Sequence, residues 1–170
     1  MKTTIITMTT ALLLACGQAF AAYSPELQAK AEQGDAAAQY ELVECYMYAH
    51  GVKLDRQEAV KWCRKAAEQG YAPAQYRLSL WDALVEGVEM NEVESHKWCR
   101  KAAEQGYAPA QYELGKCYWC GDGVEKDLIQ AARWLCKALE QDDDNDSFLY
   151  ILDEIKEELR QAAEKGDEEA

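Results

Sequence analysis

Residues 61–76 read KWCRKAAEQGYAPAQY, and residues 97–112 read the same sixteen letters again, 36 positions further on. Extending the match outward reveals a third copy. Residues 31–66 begin AEQGDAAAQYEL, residues 67–102 begin AEQGYAPAQYRL and residues 103–138 begin AEQGYAPAQYEL; Leu139 opens a degenerate fourth start, LEQDDD. A period of 36 held without insertion restricts the chain to a stack of one supersecondary module, each copy packing on the next as the last one did.

The recurring columns give the module its form. Ala38/Ala74/Ala110, Leu42/Leu78/Leu114 and Cys45/Trp81/Cys117 are spaced four and then three residues apart, one face of a first helix. Gly51/Gly87/Gly123 then precede Val52/Val88/Val124, and Asp55/Asn91/Asp127 stand where a side-chain oxygen caps a second helix. That helix carries Trp62/Trp98/Trp134 and Ala66/Ala102/Ala138, four apart on one stripe. Gly34/Gly70/Gly106 close it with the left-handed conformation that glycine adopts without strain. Neither helix hides its apolar stripe alone, so neighbouring pairs must stack, and the duplicated text spans the joint between them.

At these residues the chain resembles the Sel1-like repeat proteins, relatives of the tetratricopeptide repeats. The resemblance rests on AEQGxAxAQYxL, on the turn Gly121-Asp122-Gly123-Val124, on the spacing of Asp127 and Ala131, and on Trp-x-x-Lys-Ala at 134–138. It implies an all-α fold, a right-handed α-solenoid of stacked helix–turn–helix repeats with N- and C-terminal capping helices. The expected divisions are a signal peptide at 1–21, a capping helix at 22–30, repeats at 31–66, 67–102 and 103–138, and a degenerate repeat with a capping helix at 139–170. Departures gather in the middle unit: Asp82 replaces a tyrosine, Ser95 an alanine, and Glu-Gly-Val at 86–88 lacks the first turn glycine.

The ends read as caps and a leader. Ser24-Pro25-Glu26-Leu27 places a capping serine before a proline, starting a short helix to Gln33. Asp146 or Ser147 starts a last helix whose stripe is Phe148, Ile151, Leu152, Ile155 and Leu159. The opening MKTTIITMTTALLLACGQAFAA has one basic residue, an apolar stretch and small residues ending Ala19-Phe20-Ala21, the pattern of a secretory signal peptide. Leu13-Leu14-Ala15-Cys16 also matches a bacterial lipobox, which would leave Cys16 as a lipidated N-terminus and the protein as an outer-membrane lipoprotein. With ordinary cleavage the protein is expected to be periplasmic or secreted.

Without Lys2 the chain has 17 basic and 31 acidic residues, a net of −14. Such a balance repels phosphate backbones and anionic headgroups, so nucleic acid is not an expected partner, nor is a membrane unless Cys16 carries a lipid. A basic or neutral protein or peptide is. Charge of this size also serves solubility alone.

Six cysteines remain beyond the leader: Cys45, Cys63, Cys99, Cys117, Cys120 and Cys136. An even count in an exported chain is consistent with disulfides. Taking adjacent helices as antiparallel neighbours brings Cys99 level with Cys117, and Cys45 with Cys63 is the other pair; the alternative is that these are small core residues duplicated with their module. Cys117-Tyr118-Trp119-Cys120 resembles a redox or zinc motif, but it lies late in a helix, where the dipole does not lower a thiol pKa. The two histidines, His50 and His96, belong to other units, so no metal or cofactor is expected. Asp142–Asp146 alternates oxygens as a calcium loop does, yet Ser147 stands where the sharp turn needs glycine. No Gly-x-Ser-x-Gly, Ser-x-x-Lys or His-Glu-x-x-His occurs, and no catalytic residue is assigned.

Columns that vary while the framework repeats are the expected contact residues. On the first helices they run Ala37, Glu41, Glu44, Tyr48; then Pro73, Arg77, Leu80, Leu84; then Pro109, Glu113, Lys116, Cys120. Each set forms one stripe away from the packing face, with Met47, Ala83 and Trp119 beside it. Resemblance to the family implies that this stripe lines the concave side of the superhelix. Glu44, Met47, Tyr48, Arg77, Leu80, Leu84, Lys116 and Trp119 are the expected partner-binding residues, an apolar centre with a charged rim. The expected function is non-enzymatic protein binding in the bacterial envelope, with an immunity or inhibitor protein as one form. The competing class is a cysteine-dependent redox or hydrolytic enzyme.

Overall fold

Side-chain oxygens start four of the helices. Ser24 Oγ accepts the Leu27 N–H at 3.1 Å, Asp35 Oδ1 accepts Ala38 N–H at 3.0 Å, and Asp55 Oδ1 accepts Glu58 N–H at 2.9 Å. Asp127 takes two donors, Ile129 and Gln130 N–H, both at 2.9 Å. Each satisfies a backbone donor that the first helical turn leaves open, worth about 1 kcal/mol. Tyr71 and Tyr107 occupy the place of Asp35 with no side-chain cap; there Pro73 and Pro109 in the first turn fix the backbone instead.

The computed structural model describes residues 22–81, 92–141 and 146–168. Among the described residues are eight helices and no strand: α1 (Pro25–Glu32), α2 (Ala36–Tyr48), α3 (Arg56–Glu68), α4 (Ala72–Leu80), α5 (Glu92–Glu104), α6 (Ala108–Cys120), α7 (Leu128–Leu139) and α8 (Asp146–Glu168). Pairs α2–α3, α4–α5 and α6–α7 are the hairpins of the three units. Each helix packs on its chain neighbours, and α8 closes the stack on α7 and α6. This is an α-solenoid. The leader with Cys16, Asp82, Leu84, the turn at 86–88, Asn91 and the acidic run at 142–145 lie outside the described residues.

The expected core columns are in place. Leu42, Leu78 and Leu114 are completely buried, as are Ala66, Ala102 and Ala138. Gly34, Gly70 and Gly106 hold φ of +98°, +91° and +87°, each reversing the chain into the next first helix. The middle unit departs where its sequence does. Helix α4 has nine residues against thirteen in α2 and α6, and ends at Leu80. Trp81, in the cysteine column, lies beyond the helix yet is buried. Ser95, in an alanine column, donates to the Ser79 carbonyl of α4.

One device was not read from the sequence. Gln39, Gln75 and Gln111 are buried among apolar side chains. Each donates through Nε2 to a carbonyl ending the preceding second helix: Ala31 at 3.0 Å, Ala67 at 3.0 Å and Ala103 at 3.2 Å. Each Oε1 then accepts the amide of a glutamine thirty residues on, Gln69 at 2.7 Å, Gln105 at 2.7 Å and Gln141 at 3.0 Å. A buried amide left open would cost more than its bond returns, so every unit must seat its neighbour correctly to close the chain of bonds. Beside it runs an aromatic row: Tyr40 meets Tyr71 and Tyr76 meets Tyr107, both at 5.5 Å between centroids, and Tyr112 stacks on Phe148 of α8 at 4.5 Å.

Candidate partner-binding face

The first helices present the expected stripe, and Arg77 joins its first two units. From α4 its guanidinium reaches back to α2, donating to Tyr40 Oη at 3.2 Å and pairing with Glu44. Burial opposes the charge, but the bond to Tyr40, the fields of Tyr40 and Glu44 and a contact with the Tyr48 hydroxyl outweigh it and raise the Arg77 pKa. Tyr40 is itself raised, by burial first, with Arg77 pulling the other way. In the third unit Lys116 pairs with Glu113 at 3.0 Å on its own helix. The charged members are thus paired within the chain. The apolar members are open: Tyr48 is 52% exposed and Leu80 47%.

Two of the expected residues face inward. Met47 is half-buried against the core of the first unit. Trp119 belongs to the C-terminal lid: its Nε1 donates to Glu158 Oε1 at 2.8 Å, and Lys126 holds the other carboxylate oxygen at 2.6 Å. In the last unit the column next to the stripe is covered by α8, which contributes the acceptor. Leu84 lies outside the described residues. The structure therefore brings Glu44, Tyr48 and Arg77 together across α2 and α4, while Leu80 lines a cavity towards α6, the helix that carries Lys116.

The six cysteines are free thiols; neither Cys99 with Cys117 nor Cys45 with Cys63 is bridged. Cys63 Sγ donates to the Ala74 carbonyl at 3.4 Å and Cys99 Sγ to the Ala110 carbonyl at 3.5 Å, the same contact in two units. A thiol here fills a small site facing a helix carbonyl. Burial pushes Cys63 and Cys99 up to about 12 and Cys117 to about 11, with Cys117 adding to the shift of Cys99 and Asp122 to that of Cys117. These thiols stay protonated at neutral pH, the reverse of what a thiolate nucleophile requires.

A cavity of about 310 Å³ opens at the middle unit, lined by Ser79, Ser95, His96, Cys99 and Cys117 among others. His96 fills the space over the third-unit turn. A Cβ on Gly123 would stand 1.9 Å from His96 Nε2, so the glycine is needed for this approach as well as for its φ of +62°. Among the described residues no group of three or more His, Cys, Asp or Glu side chains is placed to hold a metal. No helix among them is long and apolar enough to cross a membrane.

The Sel1 repeat family matches residues 36–71, 72–107 and 108–143, the same 36-residue period in a different phase. The chain belongs to the Sel1 repeat family. A Sel1 repeat protein from Oxalobacter formigenes has a similar crystal structure, with 37% identity and a TM-score of 0.69 over 76% of this chain and 96% of that one. The crystal structure of c5321, a protective antigen present in uropathogenic Escherichia coli strains and displaying an SLR fold, is similar at 40% identity. Its TM-score is 0.63, covering 68% of this chain and 25% of that one. No curated protein is significantly similar in sequence. Sel1 repeats are in general protein-interaction scaffolds, and this Sel1 protein has their architecture throughout its three units.

Proposed function

We propose that the protein is an exported, non-enzymatic binding module of the bacterial envelope that holds a protein or peptide on the face made by α2, α4 and α6. The observation that carries this is the exposure of Tyr48 and Leu80 on the first-helix stripe, Tyr48 standing beside the clamped Arg77–Glu44 pair. An aromatic and an aliphatic side chain stand open on a rigid layer whose neighbouring ions, Arg77 with Glu44 and Lys116 with Glu113, are already neutralised. A partner gains apolar burial there without stripping an unpaired charge of water. Export is supported by the leader-like first 21 residues, and a protein partner by the family. The closed glutamine and tyrosine rows keep the layer rigid, so little conformational entropy is lost on binding.

The test is Tyr48→Asp combined with Leu80→Asp in the mature chain, used as bait in envelope extract and then against the captured partner in purified form. Removing a hot-spot pair costs at least about 2 kcal/mol, so affinity should fall roughly 30-fold or more with helical content unchanged. Equal capture by wild type and variant would overturn the assignment of this face. Cell fractionation of the tagged chain tests the compartment.

A further inference from the structure

The charge of this chain is unevenly distributed. Residues 140–170 hold thirteen acidic and three basic residues, a net of −10, whereas residues 22–139 hold eighteen acidic and fourteen basic, a net of −4. The cations gather on one face of the second helices. Positions 57, 61, 64 and 65 of α3 recur as 93, 97, 100 and 101 in α5 and as 129, 133, 136 and 137 in α7, spacings that share one side of a helix. They read Gln-Lys-Arg-Lys, Val-Lys-Arg-Lys and Ile-Arg-Cys-Lys.

The ridge has a regular construction. The last lysine of each set lies over the tryptophan three residues before it: Lys65 over Trp62 at 3.9 Å, Lys101 over Trp98 at 4.1 Å and Lys137 over Trp134 at 4.4 Å. Arg64 reaches Glu94 at 3.6 Å, tying the ridge of α3 to that of α5. Towards the other end Lys97, Arg133 and Lys137 are exposed, and among the described residues no carboxylate pairs with them. Val93 and Ile129 head their sets at 59% and 60% exposure.

The complement lies on the same polypeptide. Helix α8 buries Phe148, Ile151, Leu152 and Ile155 against the stack, so its opposite side faces away from α6 and α7. That side carries Asp153, Glu154, Glu157 and Glu164 with exposed Leu149 and Tyr150; Asp153 and Glu157 pair along the helix with Lys156 and Arg160, at 2.8 Å each. Its net charge is opposite to that of the ridge, and both have open apolar side chains.

We propose that a second copy of this chain docks there, the outer side of α8 in one copy lying along the α5–α7 ridge of the other. Reciprocal pairing about a two-fold axis closes the assembly as a dimer, each copy giving one acidic and one basic surface. The first-helix face stays free for a partner. Exposed ion pairs contribute at most about 1 kcal/mol each, so most of a micromolar association must come from burying Val93, Ile129, Leu149 and Tyr150.

Sedimentation velocity on the mature chain, from about 1 to about 300 µM in about 100 mM salt, reads the association directly. Wild type should pass from monomer to dimer across that range. Lys97→Glu with Arg133→Glu takes the α5–α7 ridge from five cations to a net of +1, and Glu154→Lys with Glu157→Lys makes the outer side of α8 basic; each variant alone should remain monomeric. An equimolar mixture joins the two unaltered surfaces at one contact and sets the introduced lysines against the introduced glutamates at the other, and should sediment as a heterodimer. A wild type monomeric throughout overturns the proposal, as does a variant that dimerises alone like wild type or a mixture that stays monomeric. All four positions are exposed, circular dichroism checks the folding of each variant, and the wild-type result is decisive without them.

Discussion

Gly115 gives the sharpest test of how one helix of a unit is fitted to the other. A Cβ added there would stand 2.8 Å from Leu135 Cγ and 3.2 Å from the Ala131 carbonyl oxygen, so α6 and α7 approach closely at this point. The same two columns hold Val43 and Cys63 in the first unit and Ser79 and Cys99 in the second. Bulk has moved across the gap: where the second helix gains leucine, the first retreats to glycine. Gly115→Val alone should cost about 1–3 kcal/mol from overpacking, less about 0.4 kcal/mol returned by removing a helical glycine. Leu135→Cys alone opens a cavity at a fully buried site and should cost about 2–4 kcal/mol.

Together the two changes recreate the valine–cysteine pairing of the first unit. If the columns compensate, the double variant lies within about 1 kcal/mol of wild type, a coupling of at least about 2 kcal/mol. Leu135 also touches the cluster of Ile151, Leu152 and Ile155, which is the reason for expecting some residual loss. Thermal unfolding followed by circular dichroism reads the difference, since 1 kcal/mol moves Tm by about 2–4 °C in a chain of this size. Should the two losses simply add, Leu135 is there to hold α8, and exchange of volume between facing helices is refuted.

The thiols and one backbone position give two further predictions. With Cys63 and Cys99 pushed up to about 12 from an ordinary 9.0, the folded state keeps protons that the unfolded chain releases, so stability is intact below about pH 9 and falls as pH rises towards 12. At pH 8 iodoacetamide should therefore label exposed Cys120 and Cys136 quickly and Cys63 and Cys99 only on unfolding; mass spectrometry showing equal rates would refute the buried-thiol account. Ala49 ends α2 with φ of 58°, where the third unit has Gly121 at 76°. Ala49→Gly should then raise stability by about 0.5–1 kcal/mol, and an unchanged or lower Tm would show that the neighbouring turn, not the side chain, sets this conformation.

How far the sequence could be read depended on how local each signal was. Caps at Ser24, Asp55 and Asp127, the reversing glycines and the leucine column each act through one residue and its near neighbours, and all stand where the 36-residue alignment put them. The glutamine row escaped notice because a polar residue in an apolar stripe reads as surface. Its signal was the joint recurrence of Gln39/Gln75/Gln111 with Gln69/Gln105/Gln141, two columns that mean nothing separately. The cysteines left two readings open, bridges or small core residues duplicated with their module, and Cys63 and Cys99 occupy small sites with a helix carbonyl in reach. Net charge averages an acidic final segment with the cations of the second helices, so its sign alone does not place charge on the surface.

Variation between repeats has two physical origins, and the structure separates them by asking whether a change is answered elsewhere. Val43/Ser79/Gly115 is answered by Cys63/Cys99/Leu135 across the unit. Arg77, standing where the other units have Glu41 and Glu113, is answered by Glu44 and Tyr40 on α2. Trp119 is answered by Glu158, because only the last unit meets a lid. Such changes are packing, and a partner need not be invoked for them. Tyr48 touches Arg77 across the joint through its hydroxyl, but its ring, like the Leu80 side chain, stays open to water. A solenoid holds its framework by reciprocal fit, so apolar surface that this fit leaves uncovered is where the proposed contact with something outside the chain is to be sought.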